Sequence, residues 1–381
     1  MPKRSSPKAT ASASAEVLDR RALNRALLTR QLLLERSEMG PTEAMEHLVG
    51  MQSQAPTPPY FGLWTRLRTF APDDLSRLIA EREAVRVALM RGTIHLVSAR
   101  DCLALRPLMR PVLLRGVQGA YGKLLEGMDM AALEAAGRAL VDQEPRTFAE
   151  LGARLAERWP DRDPAALAQG VRSLVALVQV PPRGLWGASG QATHTSAEAW
   201  LGRPLDPDPS PDAMVLRYLR AFGPASVADA QAWSGLTRLR EVMERLRPQL
   251  VTFRDEGGAE LFDLPDAPRP GSDAPAPVRF LPEWDNILLS HADRTRILAA
   301  EHRRAIFTVN GLIRTTILLD GFVAGTWKIA REKGAATLAI DPFQPLSKPH
   351  RAALADEGAR LLAFAAPEET HDVRFGEAMG I

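Results

Sequence analysis

Two glutamines, Gln52 and Gln54, stand two residues apart in "GMQSQAPTPPYFGLW". Residues at this spacing share a face only if the segment is extended. Pro56 biases Ala55 toward extended geometry, and Pro58 and Pro59 keep the preceding helix from continuing. The pair therefore projects from one side of a stiff bend. An amide cannot take a proton at neutral pH, but it donates and accepts hydrogen bonds and so can hold a water. A solvated loop stiffened by prolines is the competing account. Other chemical signatures are sparse. There is no G-x-G-x-x-G after a strand, no Walker A, no H-E-x-x-H and no G-x-S-x-G. The seven histidines are scattered, so no metal or other cofactor is expected. Cys102, the single cysteine, reads as a structural thiol and excludes an intrachain disulfide.

The elements around the pair repeat. A helical apolar stripe runs from Leu18 to Arg36 and ends at Gly40-Pro41. Short helices follow on both sides of the glutamines, and "APDDLSRLIAERE" makes another with acids in its first turn. "AVRVALMRGTIHLVS" then alternates like a strand pair. The same order recurs over 130–180, where Thr147 and Glu150 form a capping box and Asp163-Pro164 starts the next helix. A third copy contains "SVADAQAWSGLTRLREVMERL", a helix-turn-helix pattern, followed by a hairpin through Gly257-Gly258.

The fold class expected is α+β: three tandem winged helix-turn-helix units around a concave DNA-binding channel, with a C-terminal mixed β/α part. The boundaries read as a disordered basic tail over 1–17, units at 18–100, 101–205 and 206–265, a Pro-rich linker at 266–278, and a β-rich part over 279–381 with a hairpin and a final helix. The chain has 381 residues, 45% hydrophobic and 25% charged, with a net charge of +2. That is ordinary globular composition, and charge alone does not establish nucleic-acid binding. No apolar run is long enough to span a bilayer, so no membrane partner is expected; the single cysteine suits the cytoplasm, and with no evident dimerisation helix a monomer is expected.

Four blocks, "LVGMQSQAPTPPYFGLWTRL", "LMRGTIHLVSARD", "FLPEWDNILLSHADRTRIL" and "LLDGFVAGTW", resemble the winged-helix DNA glycosylases related to AlkZ and AlkX. The resemblance covers about residues 19–365. It implies that Gln52 and Gln54 occupy the polar positions of a Gln-(aliphatic)-Gln catalytic motif, with Ser53 departing from the aliphatic middle residue. It implies a bacterial DNA-repair enzyme that hydrolyses the N-glycosidic bond of cationic alkylated purines, and of crosslinked ones, in double-stranded DNA. It places Arg91 on phosphate and His95 near the lesion, although His95 also suits a structural role. Asn286, His291, Arg294 and Arg296 crowd the third block as candidate DNA contacts. The "TTILLDGFVAGTW" hairpin is either a minor-groove probe or an ordinary part of a sheet. In a regulator, Arg238, Arg240, Arg245 and Arg247 would lie on the recognition helix, whereas in the glycosylases that the chain resembles such a helix need not enter the major groove. A non-catalytic winged-helix DNA-binding protein or transcriptional regulator is the alternative, and it would call for paired half-sites and a dimer.

Overall fold

The structure, a computed structural model, describes residues 16–378, so the tail reading falls almost wholly outside it. One order of elements occurs three times. The first copy runs helix Pro41–His47, strand Met51–Gln52, helices Pro58–Trp64 and Pro72–Ala80, then strands Ala84–Ala88 and Ile94–Ser98. The second has helices Met130–Gln143, Phe148–Arg158 and Pro164–Leu174, and strands Leu177–Gln179 and His194–Ser196. The third has helices Pro211–Phe222, Val227–Ser234 and Leu239–Leu246, and strands Val251–Asp255 and Glu260–Asp263. In each copy the residues before the second helix pair with the last strand. Met51–Gln52 does so as a short strand, whereas Arg146 and Ala225 do so as single bridges to His194 and Phe262. The glutamine segment is the most fully formed of these three pairings.

Local signals set many of the boundaries. Thr147–Glu150 and Ser226–Asp229 are capping boxes, and Asp163 caps Pro164–Leu174. Tertiary packing departs from the expected divisions in two places. The first two copies share one five-stranded sheet, because Arg86 and Val87 pair with Gln179 and Val178. The helix Arg20–Arg30, expected in the first unit, packs on the third: Arg30 makes a buried two-bond ion pair with Asp263, and Gln31 donates to Ala221 O. Strand Val17–Leu18 likewise pairs with Val251–Asp255. Arg21, Arg25 and Arg30 also donate to carbonyls of Ser272, Ala274 and Pro268, so this helix pins the Pro-rich linker.

The C-terminal part is a five-stranded sheet covered by helix Lys348–Ala365. Its edge strand Arg279–Leu281 leads straight into Glu283–Asn286, which reaches the glutamine segment. The Asp320-Gly321 hairpin does not project. Its turn docks on the first helix, where Arg21 and Arg25 both pair with Asp320. This overturns the minor-groove role considered for that hairpin. Among the described residues no helix is long and apolar enough to cross a membrane.

Candidate active site

Gln52 lies antiparallel to His95, so the two side chains share a face of the sheet. Gly50 makes this approach possible. Its φ is +85°, and a Cβ there would sit 2.6 Å from Val97 Cγ1. Asn286 clamps the segment from the C-terminal part: its Nδ2 donates to Gly50 O at 2.6 Å and its Oδ1 accepts from Gln52 N at 3.2 Å. Asp285 beside it caps the following turn and forms a buried two-bond pair with Arg66, both bonds at 2.8 Å.

The two amides are held by their oxygens. Gln52 Oε1 accepts from Arg91 Nη2 at 2.7 Å, and Gln54 Oε1 accepts from Ile94 N at 2.9 Å. Each oxygen keeps a second lone pair, and each amide nitrogen keeps two protons. Gln52 is only 7% exposed, whereas Gln54 is open to solvent. Ser53 points to the opposite side and is fully buried. Its Oγ and carbonyl accept from Arg86 at 3.0 and 2.6 Å.

Arg91 occupies a left-handed turn at φ +57° and also donates to the Trp233 carbonyl. Burial and the charge of Arg294 lower its pKa to about 10, and among the described residues no acid opposes them. Burial and Arg303 lower the pKa of Arg294 in turn. Arg294 and Arg303 both lie over the Phe307 ring, at 4.6 and 5.7 Å. Arg91, which touches Gln52, is repelled by Arg294, and Arg294 by Arg303, an arrangement that favours an anion beside them. Sequence reasoning missed Arg303, Arg304 and Arg314. These exposed residues flank a small hairpin closed by the Phe307–Ile313 bridge. Its tip carries Val309, the most exposed large apolar side chain among the described residues. The signal was a set of arginines on both sides of the Asn310-Gly311 turn.

Three expected DNA contacts are taken up inside the fold. His291 is buried with Nε2 on Phe222 O, Arg296 donates to Pro224 O near Asp229, and Asn286 holds the glutamine strand. As surface contacts these readings are corrected: each group is desolvated and already engaged. The third copy's basic helix is largely neutralised, since Arg245 pairs with Asp212 and Arg247 with Glu244 and Glu260. Arg238 and Arg240 remain exposed. Cys102 is buried and its thiol is pushed up to about 12 by burial, which makes it inert as a nucleophile. Tyr60 and Trp64 pack in the interior.

The family model for DNA glycosylase AlkZ-like proteins matches residues 45–364. The chain belongs to the AlkZ-like DNA glycosylase family. It is also 25% identical over 346 residues to an interstrand DNA cross-link repair glycosylase from Streptomyces sahachiroi, a match spanning 83% of this chain and 88% of that protein. The solved structure of the Streptomyces sahachiroi DNA glycosylase AlkZ superposes with a TM-score of 0.79 at 22% identity, covering 94% of this chain and all of that one. The mixed α/β fold is therefore that of AlkZ, and the matched span includes both glutamines.

His95 is neutral in this glycosylase. Burial, then Arg91, lower its pKa to about 3, so it adds no positive charge beside Gln52. The consequence for stability has a defined sign. Below the ordinary histidine pKa the unfolded chain binds a proton that the folded one refuses, so stability falls as pH drops from about 6.5 toward 3. At pH 5 this residue alone should cost about 2 kcal/mol. Urea midpoints measured between pH 7 and pH 5 should fall, and His95→Gln should flatten the slope.

Proposed function

We propose that this protein is a monofunctional DNA glycosylase that hydrolyses the N-glycosidic bond of cationic alkylated purines, N7-alkylguanine and crosslinked forms included. One observation carries the reading: Gln52 and Gln54 are fixed by their oxygens at a clamped strand end, beside the Arg91 guanidinium, which no acid among the described residues opposes. Alkylation at N7 leaves the base positively charged, so the C1′–N9 electron pair can depart to a neutral leaving group. No acid on the base is needed. The remaining lone pairs of the two amides accept from a water below C1′ and direct its oxygen at the sugar. Their carbonyl dipoles stabilise the oxocarbenium-like carbon, and the water's proton passes to solvent. Most of the effect is positioning, with electrostatic stabilisation as a second contribution.

We take the three repeated units as winged helices that line a channel for double-stranded DNA. Arg91 and Arg294 hold a phosphate near the lesion, and Val309 at the Phe307–Ile313 hairpin enters the minor groove as an apolar wedge. Duplex DNA bearing N7-methylguanine should yield alkali-labile breaks after incubation. Lack of breaks across cationic N3, N7 and crosslinked substrates would sink the catalytic reading. The exposed arginines give a separate expectation. Changing Arg303 and Arg304 to Gln should weaken binding to any duplex and flatten the salt dependence by about one unit for each phosphate no longer neutralised. Fluorescence anisotropy at several salt concentrations measures both.

A further inference from the structure

A cleft of about 550 Å³ opens directly beyond Gln54, its wall starting at Ala55 and Pro58. Three distant parts of the chain converge on it. Phe61 comes from the helix after the glutamines, Trp186 from the loop between Gln179 and His194, and Trp327 and Glu283 from the C-terminal part. The Phe61 ring centroid lies 5.9 Å from that of Trp186 and 5.7 Å from that of Trp327, with the planes inclined at 59° and 64°, so the three rings pack edge to face along one side of the cleft. Trp186 is half-buried and its loop is pinned in place. Trp186 N donates to Ser76 Oγ at 3.0 Å, and the Tyr60 hydroxyl donates to Gly184 O at 2.7 Å. An aromatic ring held this way needs little further ordering when a ligand stacks on it.

Glu283 supplies the charge. It lines both this cleft and the narrow pocket that contains Gln52. Asp285, two residues on, is taken up by Arg66, whereas the half-buried Glu283 carboxyl has no such partner among the described residues and burial raises its pKa. Two cations also face the cleft. Arg331 is turned to Ala365 O and Glu369, and Lys328 sits on the exposed rim. A solitary carboxylate against aromatic walls is complementary to a planar cation, which stacks on the rings and offsets the charge.

We propose that this cleft receives the cationic alkylpurine itself, stacked on Trp186 and facing the Glu283 carboxylate. The inference rests on the proposed excision of cationic purines and names how they are told from normal ones. An unmodified guanine has the same outline but no positive charge for Glu283 to meet.

The test is titration of the full chain with 7-methylguanosine 5′-monophosphate and with GMP, following tryptophan fluorescence at neutral pH, where a carboxyl of raised pKa such as Glu283 is still ionised and N7-methylation leaves the imidazolium ring charged. The methylated nucleotide should quench the signal and bind about ten-fold tighter than GMP. Trp186→Ala should abolish the quench, while Trp186→Phe, which keeps a ring in the wall but removes the reporting indole, should retain most of the affinity difference when binding is followed by titration calorimetry. Glu283→Gln should bring the two nucleotides within about two-fold of each other. Equal wild-type affinity for the two nucleotides, a quench that survives Trp186→Ala, or no binding up to about 10 mM would overturn the proposal. Excision assays separate the two readings. A wild type that discriminates the nucleotides but excises nothing from N7-methylguanine DNA refutes the catalytic reading and leaves the cleft standing. Unchanged kcat and KM after Trp186→Ala and Glu283→Gln refutes the cleft and leaves the glutamines standing.

Discussion

Replacing Gln52 and Gln54 together by alanine should slow excision of N7-methylguanine by about a thousand-fold while leaving DNA affinity nearly unchanged. The size of the effect follows from what each amide does. Both oxygens are anchored, so their remaining lone pairs and protons have fixed directions, and alanine removes them without a substitute. The fold should tolerate the change. Gln54 is exposed, and the clamp on the strand runs through backbone atoms that alanine keeps: Asn286 still meets Gln52 N and Gly50 O. Arg91 loses one acceptor but retains the Trp233 carbonyl. Single-turnover excision under saturating enzyme reports the chemical step, and anisotropy on the same duplex reports binding. Unchanged excision by the double variant would remove the glutamines from the mechanism. Equal losses in excision and affinity would make them binding residues instead.

The features legible in the sequence are those whose causes are local. The capping box at Thr147, the Gly257-Gly258 turn and the proline-bounded bend after Gln54 each depend on residues a few positions apart. The glutamine pair could be singled out for the same reason, with its meaning supplied by the family blocks. What stayed hidden depends on which arginine meets which acid across hundreds of residues. Arg66 finds Asp285 and Arg30 finds Asp263, so both are structural. Arg91, Arg294 and the arginines around the Phe307–Ile313 hairpin carry positive charge that faces no acid in the described fold. In sequence all are simply arginines among 48 basic residues. His291 and Arg296 failed as surface candidates because their block folds inward against the third repeated unit, where Phe222 and Pro224 offer carbonyls. The joining of the first two units through Arg86 and Gln179 is a long-range register that no local pattern reports.

That register bears on the middle residue of the motif, and it makes Ser53→Val the second large expected effect. Arg86 is buried, 2% exposed, with no carboxylate partner among the described residues. Its guanidinium is satisfied by Ser53 Oγ, Ser53 O and Gln179 Oε1 at 3.0, 2.6 and 2.6 Å, and burial lowers its pKa to about 10. Ser53 is therefore matched to Arg86, in a place where the resemblance calls for an aliphatic side chain. Valine at 53 would leave the Arg86 Nε proton facing carbon, at about 3 kcal/mol for a charged donor stranded in the interior. Arg86→Leu alone would strand the Ser53 carbonyl and Gln179 at about 2 kcal/mol. The double variant Ser53→Val/Arg86→Leu removes the hydroxyl and the guanidinium together, and it should recover more than half of the summed loss. Thermal or urea unfolding of the four proteins closes this cycle. A structural role alone would show only there. Because Ser53 lies between the glutamines, the displaced strand should also move both amides, so Ser53→Val should lower kcat by about a hundred-fold with KM little changed, and the double variant should restore it. Additive losses in the double variant would mean that Ser53 and Arg86 act independently. Recovery of stability without recovery of kcat would mean that the pair supports the fold but does not set the direction of the glutamines.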